Sequence, residues 1–87
     1  MNYRVFWYPE AERYLEQLIE ASDDSDQLAI AAKEIDRRLV TDPFDFGESR
    51  HARIRIGFMP PLAVYFEVLR DVSTVIVDDV WRIPRNR

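Results

Sequence analysis

Arg50–Leu69 reads RHARIRIGFMPPLAVYFEVL, and on both sides of Pro60 and Pro61 it alternates with a period of two. Ala52, Ile54, Ile56 and Phe58 fall on one face of the first run, with His51, Arg53 and Arg55 on the other. In the second run Leu62, Val64, Phe66 and Val68 share a face, opposite Tyr65 and Glu67. Successive side chains of a strand leave opposite sides of the pleat, so this pattern predicts two consecutive strands, each with one face buried.

Downstream, after the turn residues RDVS, the run TVIVDDVW predicts a third strand. Val75, Val77, Asp79 and Trp81 share one of its faces, and Ile76, Asp78 and Val80 share the other, so its inward side stays open. Upstream, DPFDFGES has no periodicity and reads as a loop, anchored in the core by Phe44 and Phe46. Before it, QLAIAAKEIDRRLVTD carries Leu28, Ala32, Ile35 and Leu39 at helical spacing. This helix must end before Pro43, because a pre-proline residue disfavours the helical region. Asp24 followed by Gln27 resembles a capping box and marks its start.

PEAERYLEQLIEAS sets Ala11, Leu15, Leu18 and Ile19 on one side of a further helix, with proline in its first turn and Glu10 and Glu12 near the positive end of its dipole. YRVFWY is a short opening strand whose Phe6 and Trp7 read as core. The expected fold is α+β, in the order β-α-α-β-β-β. A mainly antiparallel sheet carries a two-helix hairpin on one face.

The 87 residues suffice for a single domain over 1–87, and a composition 47% hydrophobic and 32% charged is that of a folded chain. With no cysteine there is neither a disulfide framework nor a thiolate metal site, and a reducing, cytoplasmic setting is expected. One histidine and scattered acids supply no metal-ligand spacing, and two glycines write no phosphate-cradling loop. Neither metal nor cofactor is expected. The opening residues are too short an apolar run for a leader or a membrane span and read as mature structure.

Charge is divided between the halves. Residues 1–49 hold 5 basic and 12 acidic groups, net -7, and residues 50–87 hold 7 basic and 4 acidic, net +3. On the expected fold the helices cover Ile54, Ile56, Val64 and Phe66, leaving His51, Arg53, Arg55, Tyr65 and Glu67 on the uncovered face. Two readings of that stripe stay open. It is a solvated sheet face with Arg53 or Arg55 paired to Glu67, or it is a site for phosphate or carboxylate, which the planar arginine fork suits. Cleavage of RNA through its 2'-hydroxyl needs a base, an acid and positive charge at the phosphate. Arg53 and Arg55 supply only the charge, leaving His51, Glu67 or Tyr65 to carry protons. Trp81 is a candidate for base stacking or a lid on the core, and the tail WRIPRNR, with Arg82, Arg85 and Arg87, is a basic terminus.

Several pieces together resemble the RelE/ParE superfamily, the toxins of bacterial type II toxin-antitoxin systems. They are FWYPEAE, the hairpin ending LVTDP, the strand RHARIRIGF, the strand PLAVYFEVLRD and the closing DDVWR. The resemblance implies a cytoplasmic toxin neutralised by a cognate antitoxin, in a group that includes plasmid-stabilisation proteins. RelE-like members cleave messenger RNA on the ribosome, whereas ParE-like members poison DNA gyrase without being nucleases. The catalytic candidates are Arg53 and Arg55, which match the family's basic strand residues by position, together with His51 and Glu67, the proton carriers read from the residues themselves. Tyr65, Arg70, Trp81, Arg82 and Arg85 are the binding candidates. The chain departs from the nuclease pattern in lacking a C-terminal tyrosine, in having one lysine, and in its net charge of -4. The alternative is a non-toxic binding module of the same fold.

Overall fold

The computed structural model describes residues 2–84, so Arg85 and the end of the basic tail lie outside the described residues. The elements are β1 (Arg4–Trp7), α1 (Pro9–Ala21), α2 (Ser25–Thr41), α3 (Pro43–Phe46), β2 (Gly47–His51), β3 (Ile54–Met59), β4 (Leu62–Leu69) and β5 (Thr74–Arg82), with a 3-10 turn at Arg70–Val72 before β5. The sheet runs in the order β1-β5-β4-β3-β2. Its neighbours are antiparallel except β1, which lies parallel to β5. The helical hairpin carries the chain from β1 at one edge of the sheet to β2 at the other, and β3, β4 and β5 then return by antiparallel pairing until β5 lies parallel beside β1.

The expected β-α-α-β-β-β order holds, with two additions. The stretch DPFDFGES is not a loop: it folds as α3 followed by the edge strand β2. Proline opens α3 and Gly47 ends it, and four residues are too few for periodicity to reveal. Asp24 does precede α2, but its carboxylate engages Arg82 in place of a capping hydrogen bond.

The core lies between α2 and one sheet face. Leu28, Ala31, Ile35 and Leu39 of α2 meet Leu62, Val64 and Phe66 of β4 and Val75, Val77 and Val80 of β5; α1 contributes Ala11 and partly buried Leu15, Leu18 and Ile19. Trp7 packs against this cluster while its indole N–H donates to Asp36 at 2.8 Å. Phe6, expected in the core, is 53% exposed, because it pairs with Ile76 on the sheet's other face.

Both glycines serve the core. Gly47 and Gly57 are cross-strand partners. A Cβ on Gly47 would sit 2.3 Å from the Phe66 ring, and one on Gly57 would sit 2.3 Å from the Phe46 ring. Their bare backbones make room for the Phe46–Phe66 stack, with ring centroids 6.1 Å apart.

One irregularity in β5 governs everything on the opposite face. Phe66 pairs with Val77 and Tyr65 pairs with Asp79, so Asp78 is an extra residue opposite a continuous β4. Such a bulge shifts the alternation by one. Val75 and Val77 face the helices before it and Val80 after it, which is why simple alternation leaves the inward side of this strand undecided.

Candidate functional site

The face of β3 is the reverse of the one its alternation suggests. Arg55 pairs with Phe66 and Gly57 with Val64, so both lie on the helix side, whereas Ile54 pairs with Glu67, Ile56 with Tyr65 and Phe58 with Ala63 on the open side. The stripe is thus not an uncovered basic face. Arg53 is not in a strand but in the turn between β2 and β3, beside Ala52, whose φ of 52° gives the left-handed backbone of a tight reversal. His51 ends the edge strand β2 and is exposed.

Three arginines nevertheless converge at the end of the sheet where β3 begins and β4 ends. Arg53, Arg55 and Arg70 line a pocket of about 350 Å³ with Phe44 and the acid Asp71. The Phe44 ring has the Arg70 guanidinium 4.3 Å and the Arg55 guanidinium 5.0 Å from its centroid. Cations are attracted to the face of an aromatic ring, so Phe44 holds like charges together that would otherwise repel. Arg55 is further anchored by Nη2, which donates to the carbonyls of Gly47 at 2.8 Å and Phe44 at 3.2 Å. Its Nε is buried and has no hydrogen-bond partner. The pocket therefore offers a fixed guanidinium in Arg55 and two more, on Arg53 and Arg70, whose residues are exposed. Its guanidinium groups suit phosphate or carboxylate, and Asp71 is the one carboxylate among the described residues that line it.

The open face is aromatic and acidic. Tyr65 and Trp81 pack at 4.8 Å between centroids. Phe6, Phe58 and Tyr65 are 53%, 46% and 37% exposed. Glu67 stands beside Asp78, the bulged residue. Asp78 Oδ2 is buried and meets no donor, so two carboxyl groups face each other with room for one proton between them. Burial first, then the hydrogen bond and negative charge of Glu67, then the charge of Asp79, raise the Asp78 carboxyl from 3.8 to about 7.

The proposed catalytic group does not assemble. Arg55 lies on the helix side of the sheet and Glu67 on the open side, where His51 and Glu67 fall in one cross-strand row with Ile54 between them. Of the binding candidates, Tyr65 and Trp81 come together on the open face and Arg70 joins the arginine pocket. Arg82 points to the helix side, where it forms a two-pronged ion pair with Asp24 at 3.0 and 2.5 Å and ties β5 to the turn between α1 and α2. Phe44 and Asp78 are the residues of these two surfaces that pattern reading passes over. The signal for Asp78 is a carboxylate in mid-strand between Val75 and Val80; for Phe44 there is none, since a loop aromatic is equally a core anchor.

No family model matches the sequence, and no curated protein matches it either. Solved structures do. A chain of the toxin-antitoxin complex RelBE2 from Mycobacterium tuberculosis superposes with a TM-score of 0.80 at 18% identity, covering 94% of this chain and 92% of that one. The isolated RelE toxin of E. coli gives a TM-score of 0.68 at 16% identity, covering 98% and 88%. A chain of the RelE-RelB complex from the archaeon Pyrococcus horikoshii OT3 gives 0.59 at 13%, covering 99% and 100%. The fold is that of RelE toxin structures, over nearly the whole chain.

Proposed function

We propose that this chain is the toxin of a type II toxin-antitoxin pair, neutralised by a cognate antitoxin, and that it acts by binding rather than by cutting RNA. The fold shared with RelE structures supports the first part. The observation that carries the second is the separation of functional groups. Arg53, Arg55 and Arg70 gather around Phe44, while the carboxyl pair Glu67 and Asp78 sits on the open face. Phosphodiester cleavage needs both a base and an acid with positive charge at one phosphate. Here the Glu67–Asp78 pair is separated from the arginines by the sheet, which leaves Asp71 as the one carboxylate at the pocket among the described residues. A polyanion would also be repelled from a face bearing Glu67, Asp78 and Asp79. The reading that fits is ParE-like: the arginine pocket grips an acidic or phosphate-bearing element of its target, with DNA gyrase as the target class.

The test is tightly induced expression in a bacterial host, comparing wild type with Arg53→Ala/Arg70→Ala at equal soluble levels. Both residues are exposed, so the pair leaves the fold intact while removing two of three guanidinium groups. Wild type is expected to arrest growth and to inhibit gyrase supercoiling, with messenger RNA left whole; the double variant is expected to do neither. Ribosome-dependent cleavage by the purified protein would replace this reading with the nuclease one. Growth unaffected by wild type would favour the non-toxic binding module, for which the aromatic open face speaks.

A further inference from the structure

The toxin reading leaves the open sheet face without a role. This face has the traits of a buried surface. Phe6 on β1, Tyr65 on β4 and Phe58 on β3 are large, apolar and exposed, and they span three strand spacings, ~14 Å, with Ile76 and Ile54 between them. Contiguous exposed apolar surface on a small protein marks an interaction site. In its middle lies the Glu67–Asp78 carboxyl pair, where Asp78 Oδ2 is removed from water and meets no donor. Among the described residues the face itself carries no positively charged hydrogen-bond donor, and Arg13 of α1 lines only the adjoining cleft.

We propose that the open sheet face docks a protein segment with apolar side chains flanking an arginine or lysine, whose cation donates to the Glu67–Asp78 pair. Charge complementarity selects this occupant. The groups around Asp78 are Glu67 from β4, Asp79 from β5, Tyr8 just before α1, and Glu10 and Tyr14 on α1; Arg13, on α1 where it lines the cleft shared with Asp78, is the one cation among them in the described residues. An acidic or phosphate-bearing occupant would meet like charge here. The proposal does not depend on the toxin reading, because it uses none of the residues of the arginine pocket.

The experiment is selection of a random twelve-residue displayed peptide library on the purified protein, with Glu67→Gln/Asp78→Asn as the counter-target. Sequences enriched on wild type should hold an arginine or lysine between apolar residues. Peptides synthesised from them should bind the double variant at least tenfold more weakly. Amide chemical shifts should move at Tyr65, Ile76 and Trp81 and stay still at Phe44 and Arg70. Binding should also weaken about tenfold from pH 8 to pH 6, because a cation pairs with the ionised form and Asp78 takes up a proton near pH 7. Enrichment of acidic sequences, equal binding to both proteins, or shifts confined to the arginine pocket would overturn the proposal. So would no enrichment above the counter-target, or sedimentation showing this face buried in a dimer that the double variant abolishes. Asp78→Asn alone removes an ionisable group without changing shape, so a folded variant is available if the double one is unstable.

Discussion

Replacing Arg55 by alanine distinguishes a half-buried structural guanidinium from a surface charge, and Arg53→Ala is its internal control. Arg55 Nη2 donates to the Gly47 carbonyl at 2.8 Å and, more weakly, to the Phe44 carbonyl at 3.2 Å. A hydrogen bond from a charged donor contributes about 1.5–3 kcal/mol. The contact with the Phe44 ring adds roughly 0.5–1 kcal/mol. Against this, the buried Nε has no partner, and deleting it relieves about 1 kcal/mol. The net loss is about 2 kcal/mol. For a domain of this size that lowers the melting temperature by roughly 8–16 °C. Arg53, exposed in the turn, should change stability by about 0.5 kcal/mol or less. Urea unfolding followed by tryptophan fluorescence measures both, and the slope of the transition should be unchanged. Arg55→Lys should lie between wild type and alanine, since ammonium keeps the charge but not the fork. Equal effects of Arg55→Ala and Arg53→Ala, both near zero, would mean that β3 faces the other way and that its arginines are solvated.

Gly57→Ala should cost about 1–3 kcal/mol by forcing the Phe46 ring out of the core, and Phe46→Leu in the same chain should recover part of the loss; the midpoint of urea unfolding reports both. Asp78 holds its proton in the folded state up to about pH 7, whereas the unfolded carboxyl releases it near 3.8. The folded state then binds more protons between these values, so stability falls as pH rises from 4 to 7, and Asp78→Asn should flatten that fall in melting temperatures recorded across the range. A double-mutant cycle of Asp24→Ala and Arg82→Ala, scored by urea unfolding, should give a coupling of about 1–3 kcal/mol, because the pair is two-pronged and both side chains are about four-fifths buried.

The strand and helix content, their order and most of the core were legible in the residues themselves. Leu28, Ile35 and Leu39 lie at helical spacing on one stripe of α2, and Leu62, Val64 and Phe66 alternate along β4; all six are fully buried. Local periodicity records which side of an element avoids water, and for a long helix and a clean strand that suffices. The short α3 and β2 escaped because four or five residues carry no measurable period, and β2 as an edge strand has mostly exposed residues.

What the sequence by itself determined is therefore the set of longer elements and the presence of surplus arginine in the second half of the chain. Which side of β3 the arginines take, and hence what the site is, was settled only in three dimensions. Alternation divides Ile54, Ile56 and Phe58 from Arg53 and Arg55 but does not say that the apolar set is the one under the helices. The decision came from the helix side of β3, where Phe46 fills the space over Gly57 and the Phe44 ring and two backbone carbonyls satisfy Arg55. Likewise the bulge at Asp78 brings that carboxylate to Glu67, eleven residues away in the chain and one strand away in the sheet. Contacts between distant residues are a property of the register, and register is set by the packing of the whole sheet against its helices.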